Sequence, residues 1–319
     1  MARVDRLDDL VGRRVTVRHR LRSGLLTDAV GELSVDGGEF AVQTRRGPVR
    51  VSRADVVAVR AIPPPVPRRP SWAAVARLEN VCADAWPARV DRPLGAWRLR
   101  AAGGFTGRAN AALAVGDPGI PVPSALETVR AFAAEHGVPP RVHVPMGSPW
   151  DRAVAAAGWV LDAGHEAGAE VAVLVADVER LVAASDPTVL PADRPDDAWW
   201  ALALGREPTP DERWVLDPSP GPARGPRTAF GLVPGAGVIR AAVVGDHLHL
   251  SRLAVVPTAR RAGVGTALTA AAAAWGREHG ARWAVLQVAL QNTAARALYD
   301  ALGATEHHRY RYLVPPPEG

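Results

Sequence analysis

The sequence predicts a mixed α/β chain of 319 residues: a small all-β barrel, a spacer, then two related strand-and-helix segments. Three observations carry this expectation. Short runs of alternating apolar and polar residues fill positions 1–62. Further on, an apolar strand at Leu253–Val256 passes through a glycine-bearing turn into an Ala-rich helix. The helix–strand–helix pattern that follows it is repeated, in weakened form, between residues 71 and 190.

In the first segment, residues 14–18, 29–35, 39–44 and 48–52 alternate with period two, as half-buried strands do. Turns such as Asp36-Gly37-Gly38 separate them, so four or five short strands form an SH3-like barrel over 1–62. The run Pro63–Pro70 makes a semi-rigid polyproline spacer. Arg13, Arg14, Arg18, Arg20 and Arg22 cluster on the barrel without interleaved aromatics to stack on bases. A solvated face or an intramolecular docking surface is expected there, and nucleic acid is not an expected partner.

Composition narrows the class further. With 48% hydrophobic residues the chain can bury a sizeable core. Its single cysteine, Cys82, excludes an internal disulfide and fits a reducing compartment. The start of the chain is charged and lacks an apolar signal core, and no run reaches the ~18–20 apolar residues of a membrane helix. A soluble, cytoplasmic protein without membrane association is expected, as a monomer or homodimer. The net charge is +5, but lysine is absent, so all 38 basic residues are arginine. That usage, beside abundant Ala, Gly and Pro, reflects a GC-rich coding bias rather than a polyanion partner. It also means that the chain cannot acetylate its own lysine side chains. No His, Cys, Asp or Glu spacing suggests a metal site.

The chemistry concentrates after residue 246. Leu253, Ala254 and Val255 belong to the strand, Pro257 marks its end, and Gly263 and Gly265 permit a tight turn. The helix from Thr266 then begins with unpaired N–H groups at the positive end of its dipole, an anion site to which Arg260 adds charge. A P-loop is excluded because it needs a lysine, and a dinucleotide fingerprint because its third glycine is replaced by Leu268. An ordinary strand–turn–helix junction remains the structural alternative. Downstream, residues 282–288 form an apolar strand, and residues 291–303 a short helix closed by Gly303.

Arg260-x-x-Gly263-x-Gly265 resembles motif A of the GNAT (Gcn5-related) N-acetyltransferases. Asn292-x-x-Ala295-x-x-Leu298-Tyr299-x-x-x-Gly303 resembles the second half of the same core, and together the likeness spans residues 246–313. The resemblance implies a mixed, mostly antiparallel sheet flanked by helices, with acetyl-CoA as acyl donor and no metal. It places the CoA pyrophosphate on Arg260, Arg261, Ala262, Gly263, Val264, Gly265 and Thr266, and the pantetheine arm on Leu253, Ala254 and Val255. It puts Asn292 against the cofactor and Tyr299 near the thioester sulfur, where a phenol can protonate the departing thiolate. A half-buried aromatic whose hydroxyl fills a polar gap is the plainer reading of Tyr299. The whole layout is similar to an actinobacterial family often labelled N-acetylglutamate synthase-like.

The repeat makes residues 71–190 a degenerate GNAT-like half and 191–319 the active one. Where the active half has its glycine turn, the first has Gly119-Ile-Pro-Val-Pro-Ser124, and Val154 stands at the position of Tyr299. The degenerate half is expected to shape the acceptor site: Arg108 as a fork for a substrate carboxylate and Asn110 to orient it. A structural loop is the alternative at both positions. On the strand feeding the turn, period two puts His247, His249, Ser251 and Leu253 on one face. His249 is the candidate general base, with a half-exposed structural histidine as the other reading. His279 and Glu306-His307-His308 read as helix-end and loop residues, and Gly205–Thr228 as an exposed loop that sets acceptor specificity. Trp199, Trp200 and Trp214 read as core or lid packing. The expected reaction moves an acetyl group to a primary amine, such as an amino acid like glutamate, a small amine or a peptide N-terminus. The competing class is a non-catalytic acyl-CoA sensor whose barrel binds a partner or nucleic acid.

Overall fold

A computed structural model describes residues 7–36, 39–44, 47–62, 69–183, 189, 191–218 and 226–317. The chain divides into two compact units, Met1–Arg68 and Arg69–Gly319. The Gly37-Gly38 turn, most of the proline spacer and positions 219–225 lie outside the described residues.

The first unit is a five-stranded antiparallel sheet: β1 (Arg14–Arg20), β2 (Leu26–Asp36), β3 (Glu39–Thr44), β4 (Gly47–Val51) and β5 (Val56–Ala61), in the order β4-β3-β2-β1-β5. Period-two patterning orients β1: Val15, Val17 and His19 point inward while Arg14, Arg18 and Arg20 face solvent. Val15, Val17, Leu33, Phe40 and Val42 build the core. Arg18 pairs across the ladder with Asp28 at 2.9 Å, which neutralises part of the arginine cluster.

The second unit holds one 11-stranded sheet. Its first half runs α1 (Trp72–Ala85), β6 (Val90–Leu94), β7 (Trp97–Ala101), β8 (Ala112–Leu113), α2 (Val122–Glu135), β9 (Val142–Pro145), α3 (Pro149–Ala156), β10 (Val160–Leu161), β11 (Glu170–Asp177) and α4 (Val178–Val182). The second half runs α5 (Asp197–Leu204), α6 (Pro210–Leu216), β12 (Arg227–Val233), β13 (Gly237–Val244), β14 (His247–Val255), α7 (Val264–Glu278), β15 (Trp283–Ala289), α8 (Thr293–Ala301) and β16 (Thr305–Val314). The sheet order is β12-β13-β14-β15-β11-β16-β9-β8-β7-β6, with β10 on β16.

That order records an exchange of final strands. β11 leaves the first half to pair antiparallel with β15, from Val171↔Ala289 to Asp177↔Trp283. β16 makes the reciprocal crossing and pairs with β9, and the two exchanged strands pair with each other. Each half keeps one parallel ladder, β14–β15 and β8–β9. Each also keeps its own core, around Leu248, Leu268 and Leu286 in one and Trp97, Leu126 and Val142 in the other. A further cluster of Leu78, Cys82, Val173, Tyr310 and Tyr312 packs α1 against the exchanged strands.

The stretch expected as one exposed loop contains α6. Thr209 caps its first turn, Glu212 returns the bond to the Thr209 N–H, and Pro210 occupies the position where no N–H is needed. Trp199 and Trp200 are buried in the core, whereas Trp214 is half exposed and donates to the Ala88 carbonyl at 3.2 Å.

Candidate active site

The parallel ladder of β14 and β15 runs from His247↔Trp283 to Leu250↔Leu286 and stops there. Beyond it β14 carries a bulge: Ser251 faces Arg240 and Ala254 faces Val238, so Arg252 and Leu253 together oppose Ile239. Arg252 accommodates the extra residue at φ 53. A cleft of about 880 Å³ occupies the opening, lined on its two strands by Leu250–Leu253 and Leu286–Ala289.

At the outer end of β14 the chain turns into α7. Arg260 Nε donates to the Val255 carbonyl at 3.3 Å and so folds the turn back on the strand. Arg261 and Gly263 adopt positive φ, 61° and 79°, and Gly263 is the N-cap. Glycine carries no capping side chain, so the first N–H groups of this 15-residue helix stay open at the positive end of its dipole. At Gly265 an added Cβ would stand 3.3 Å from Leu298 and 3.9 Å from Leu253 and Val255, which seats the helix start against both β14 and α8. An exposed, cationic, uncapped helix start of this kind fits a pyrophosphate.

Across the cleft, Asn292 caps α8 by accepting from the Ala295 N–H at 3.1 Å, and it lines the cavity. Tyr299 lines it too, two helical turns on, with only 4% of its surface exposed. Burial pushes its phenol above the ordinary tyrosine range, and the neighbouring Thr269 hydroxyl opposes this in part. The phenol therefore keeps its proton throughout the physiological pH range. Leu253, Asn292, Tyr299 and Arg108 thus share one cavity, with Ala254, Val255 and the Arg260–Thr266 turn continuing outward from it.

Two assignments change. His249 lies on the expected strand, but it is 0% exposed and absent from the cleft lining. Its ring packs 6.3 Å from that of Trp86 and lies beside the side chain of Gln287, which does line the cleft. Burial, then the charges of Arg108 and Arg240, hold it well below the usual histidine range. The imidazole is therefore buried rather than half exposed and does not itself line the cleft, although Ser251 and Leu253 of the same strand do. Asn110 is also committed elsewhere. Its side chain accepts from the N–H groups of Ala102 and Gly104 at 2.7 and 3.0 Å and donates to the carbonyls of Phe105 and Thr106 at 2.8 and 2.9 Å. It clasps the 102–106 loop and has no donor or acceptor left for a substrate. Arg108 does line the cleft, donating to Gln287 at 3.3 Å with its guanidinium 4.4 Å from the Trp86 ring.

Other cleft residues escaped sequence reasoning. Arg206 forks onto Glu212 at 2.6 and 2.7 Å, and that pairing, with the Thr209 N–H, keeps the carboxylate ionised despite some burial. The Thr209-x-x-Glu212 spacing was the readable signal. Tyr310 and Tyr312, two apart on β16, present their hydroxyls to each other at 3.4 Å and line the cavity. His308, expected on a loop, lies on β16 and meets the buried Glu79 at 2.8 Å, with His143 on the other carboxylate oxygen at 3.1 Å.

The matching position in the first half is closed. Val75, Ala114, Ser148 and Trp150 leave about 30 Å³ there. Trp150 meets Trp97 edge-on, α2 starts on proline, and Val154 is buried in the core.

A sheet opened at one parallel rung beside an uncapped helix start is the layout of the GNAT acyltransferases. The fold of a GCN5-related N-acetyltransferase from Kribbella flavida superposes with a TM-score of 0.56, covering 76% of this chain and 96% of that one at 20% identity. The chain belongs to the acetyltransferase family described as "Probable histone acetyltransferase Rv0428c C-terminal", whose model matches residues 73–313. Residues 10–60 match the "Rv0428c N-terminal Sm-like domain", a refinement of the small all-β barrel expected there. Over 318 residues the chain is 32% identical to the "Probable histone acetyltransferase Rv0428c" of Mycobacterium tuberculosis, with 95% of each covered. Among the described residues no helix is long and apolar enough to cross a membrane, and no group of three His, Cys, Asp or Glu is placed to hold a metal.

Proposed function

We propose that this acetyltransferase uses acetyl-CoA to acetylate a primary amine by direct attack within a ternary complex. The observation that carries the proposal is the alignment of three features on β14. Its outer end turns into the uncapped start of α7, its edge past Leu250 is released from β15, and the cleft at that opening is lined by the buried Tyr299. The α7 N–H groups and Arg260 would take the pyrophosphate, the free edge of Leu253–Val255 the pantetheine arm, and Asn292 the opposite side of the donor. Backbone N–H groups at the bulge would polarise the thioester carbonyl. As the amine nitrogen bonds to the carbonyl carbon and the C–S bond breaks, Tyr299 gives its proton to the leaving sulfur, the nitrogen releases its surplus proton to water, and the phenolate takes one back. Help of this kind is worth about 10²–10⁴-fold.

The burial of His249 bears on the acceptor. An α-amine with a pKa near ~8 sacrifices less than ~1 kcal/mol to deprotonate near neutrality, whereas a lysine amine near ~10.4 sacrifices ~4 kcal/mol. The smaller deficit asks less of any base once His249 is set back from the cleft, which favours an α-amine: an amino acid such as glutamate, or a peptide N-terminus. Arg108 is available for a carboxylate on such an acceptor. A lysine-bearing protein acceptor is the second reading, supported by the name of the mycobacterial relative. An acceptor panel with acetyl-CoA and thiol-release detection separates them. Turnover on α-amines above lysine peptides supports the first reading, the reverse order the second, and acetyl-CoA binding with no turnover on any amine would defeat both.

A further inference from the structure

Arg252 sits where no strand residue is comfortable. Its φ of 53 lies in the left-handed region, which a residue with a Cβ adopts only under strain. Glycine would take that angle freely, so what arginine adds at this position is its side chain.

The guanidinium reaches both flanks of the inner cleft. It donates to the carbonyl of Ala203, in the last turn of α5, where helix carbonyls lack partners and a cation is favoured. It also lies 6.0 Å from the ring of Phe105, on the loop contributed by the first half. Each contact leads directly to the lining. Gly205 closes α5 at φ 71, and Arg206, Thr209 and Glu212 follow on one wall. Phe105 belongs to Gly103–Arg108 on the other, the loop that Asn110 clasps from behind.

We infer that Arg252 is a positioning residue: rooted in the bulge beside the reacting thioester, it holds the two acceptor-side walls at a fixed distance from it. The bulge, the α5–α6 connection and the first-half loop then move as one piece, so acceptor and donor are kept in register. This is also a way for a half whose matching position is closed to remain part of catalysis. The kinetic side of the inference rests on the acetyl-transfer reading above.

The test compares full-length wild type with Arg252→Gly and Arg252→Lys. Glycine keeps the bulge conformation and removes only the clasp, and lysine restores a cation able to reach Ala203. For Arg252→Gly the expected result is an acceptor KM raised about tenfold or more with the acetyl-CoA KM within about twofold, and Arg252→Lys recovers most of the loss. Amide hydrogen exchange should also quicken at 203–209 and 103–107 but not in α7. An acetyl-CoA KM that rises as much as the acceptor KM would overturn the inference, as would an acceptor KM left unchanged. If wild type acetylates no amine, the acetyl-transfer reading fails, and the exchange measurement decides alone: faster exchange in the two walls upholds the clasp and unchanged exchange overturns it.

Discussion

Leu250 and Leu286 form the last rung of the β14–β15 ladder, and the cleft begins where their pairing ends. The strands can part there because each is held from behind. β14 stays paired to β13 as far as Val255, and β15 stays paired to β11 as far as Ala289. Since β11 belongs to the first half of the unit, one wall of the cleft is braced by the half whose matching position leaves only about 30 Å³.

That bracing predicts the behaviour of fragments. Residues 191–319 expressed alone lack β11 and expose the whole edge of β15, together with the apolar surface that Val171 and Val173 cover. The fragment should be insoluble or unfolded by circular dichroism, and co-expression with residues 69–190 should recover a soluble complex. A folded, monomeric 191–319 fragment would show that the exchange is dispensable.

At the other end of β14, the missing side chain of Gly265 lets the start of α7 sit close against β14 and α8. Gly265→Val would push branches into the space beside Leu298, Leu253 and Val255 and across the helix start. Losing one or two charge-assisted bonds to phosphate corresponds to about a 10–100-fold rise in the acetyl-CoA KM. The acceptor KM should change little. Initial-rate kinetics with each substrate varied in turn gives the answer, and an unaffected acetyl-CoA KM would remove the turn from the donor site.

Protonating His249 requires opening the structure. Its pKa is held well below 6.5 in the folded chain by burial and by Arg108 and Arg240, while in the unfolded chain it titrates normally. Below about pH 6.5 the unfolded state therefore binds a proton that the folded state refuses, and stability falls as pH falls. His249→Asn should flatten this dependence by about 1.4 kcal/mol per pH unit between roughly pH 6.5 and 5, read from urea unfolding midpoints. Equal slopes for the two proteins would place His249 in contact with water.

Much of this was legible before any coordinates. The glycine turn and the Asn292 cap were readable because a tight turn into a helix and a helix cap demand particular residue types at fixed spacings. The repeat was readable because two cores of the same kind need similar patterns. The strand exchange was not: Val171–Val175 reads equally well beside either partner, since apolar alternation records a buried strand but not which strand lies next to it. His249 failed for a related reason. Period two tells which residues share a face with Ser251, but not that α1 covers the near end of that face and Trp86 closes over the imidazole. Asn110 looked available because a polar residue in a glycine-rich loop serves a substrate or its own backbone equally well. Only the four bonds to residues 102–106 decide between them. Arg252 had no sequence signal at all, because its significance lies in a backbone angle.

The buried phenol of Tyr299 is the center of the proposed chemistry, and removing one oxygen atom tests it. Thiol release from acetyl-CoA, measured with the best amine of the panel on wild type and Tyr299→Phe, should show kcat reduced about 100-fold or more with the acetyl-CoA KM nearly unchanged. A phenylalanine variant that turns over at the wild-type rate would show that the leaving sulfur takes its proton from elsewhere.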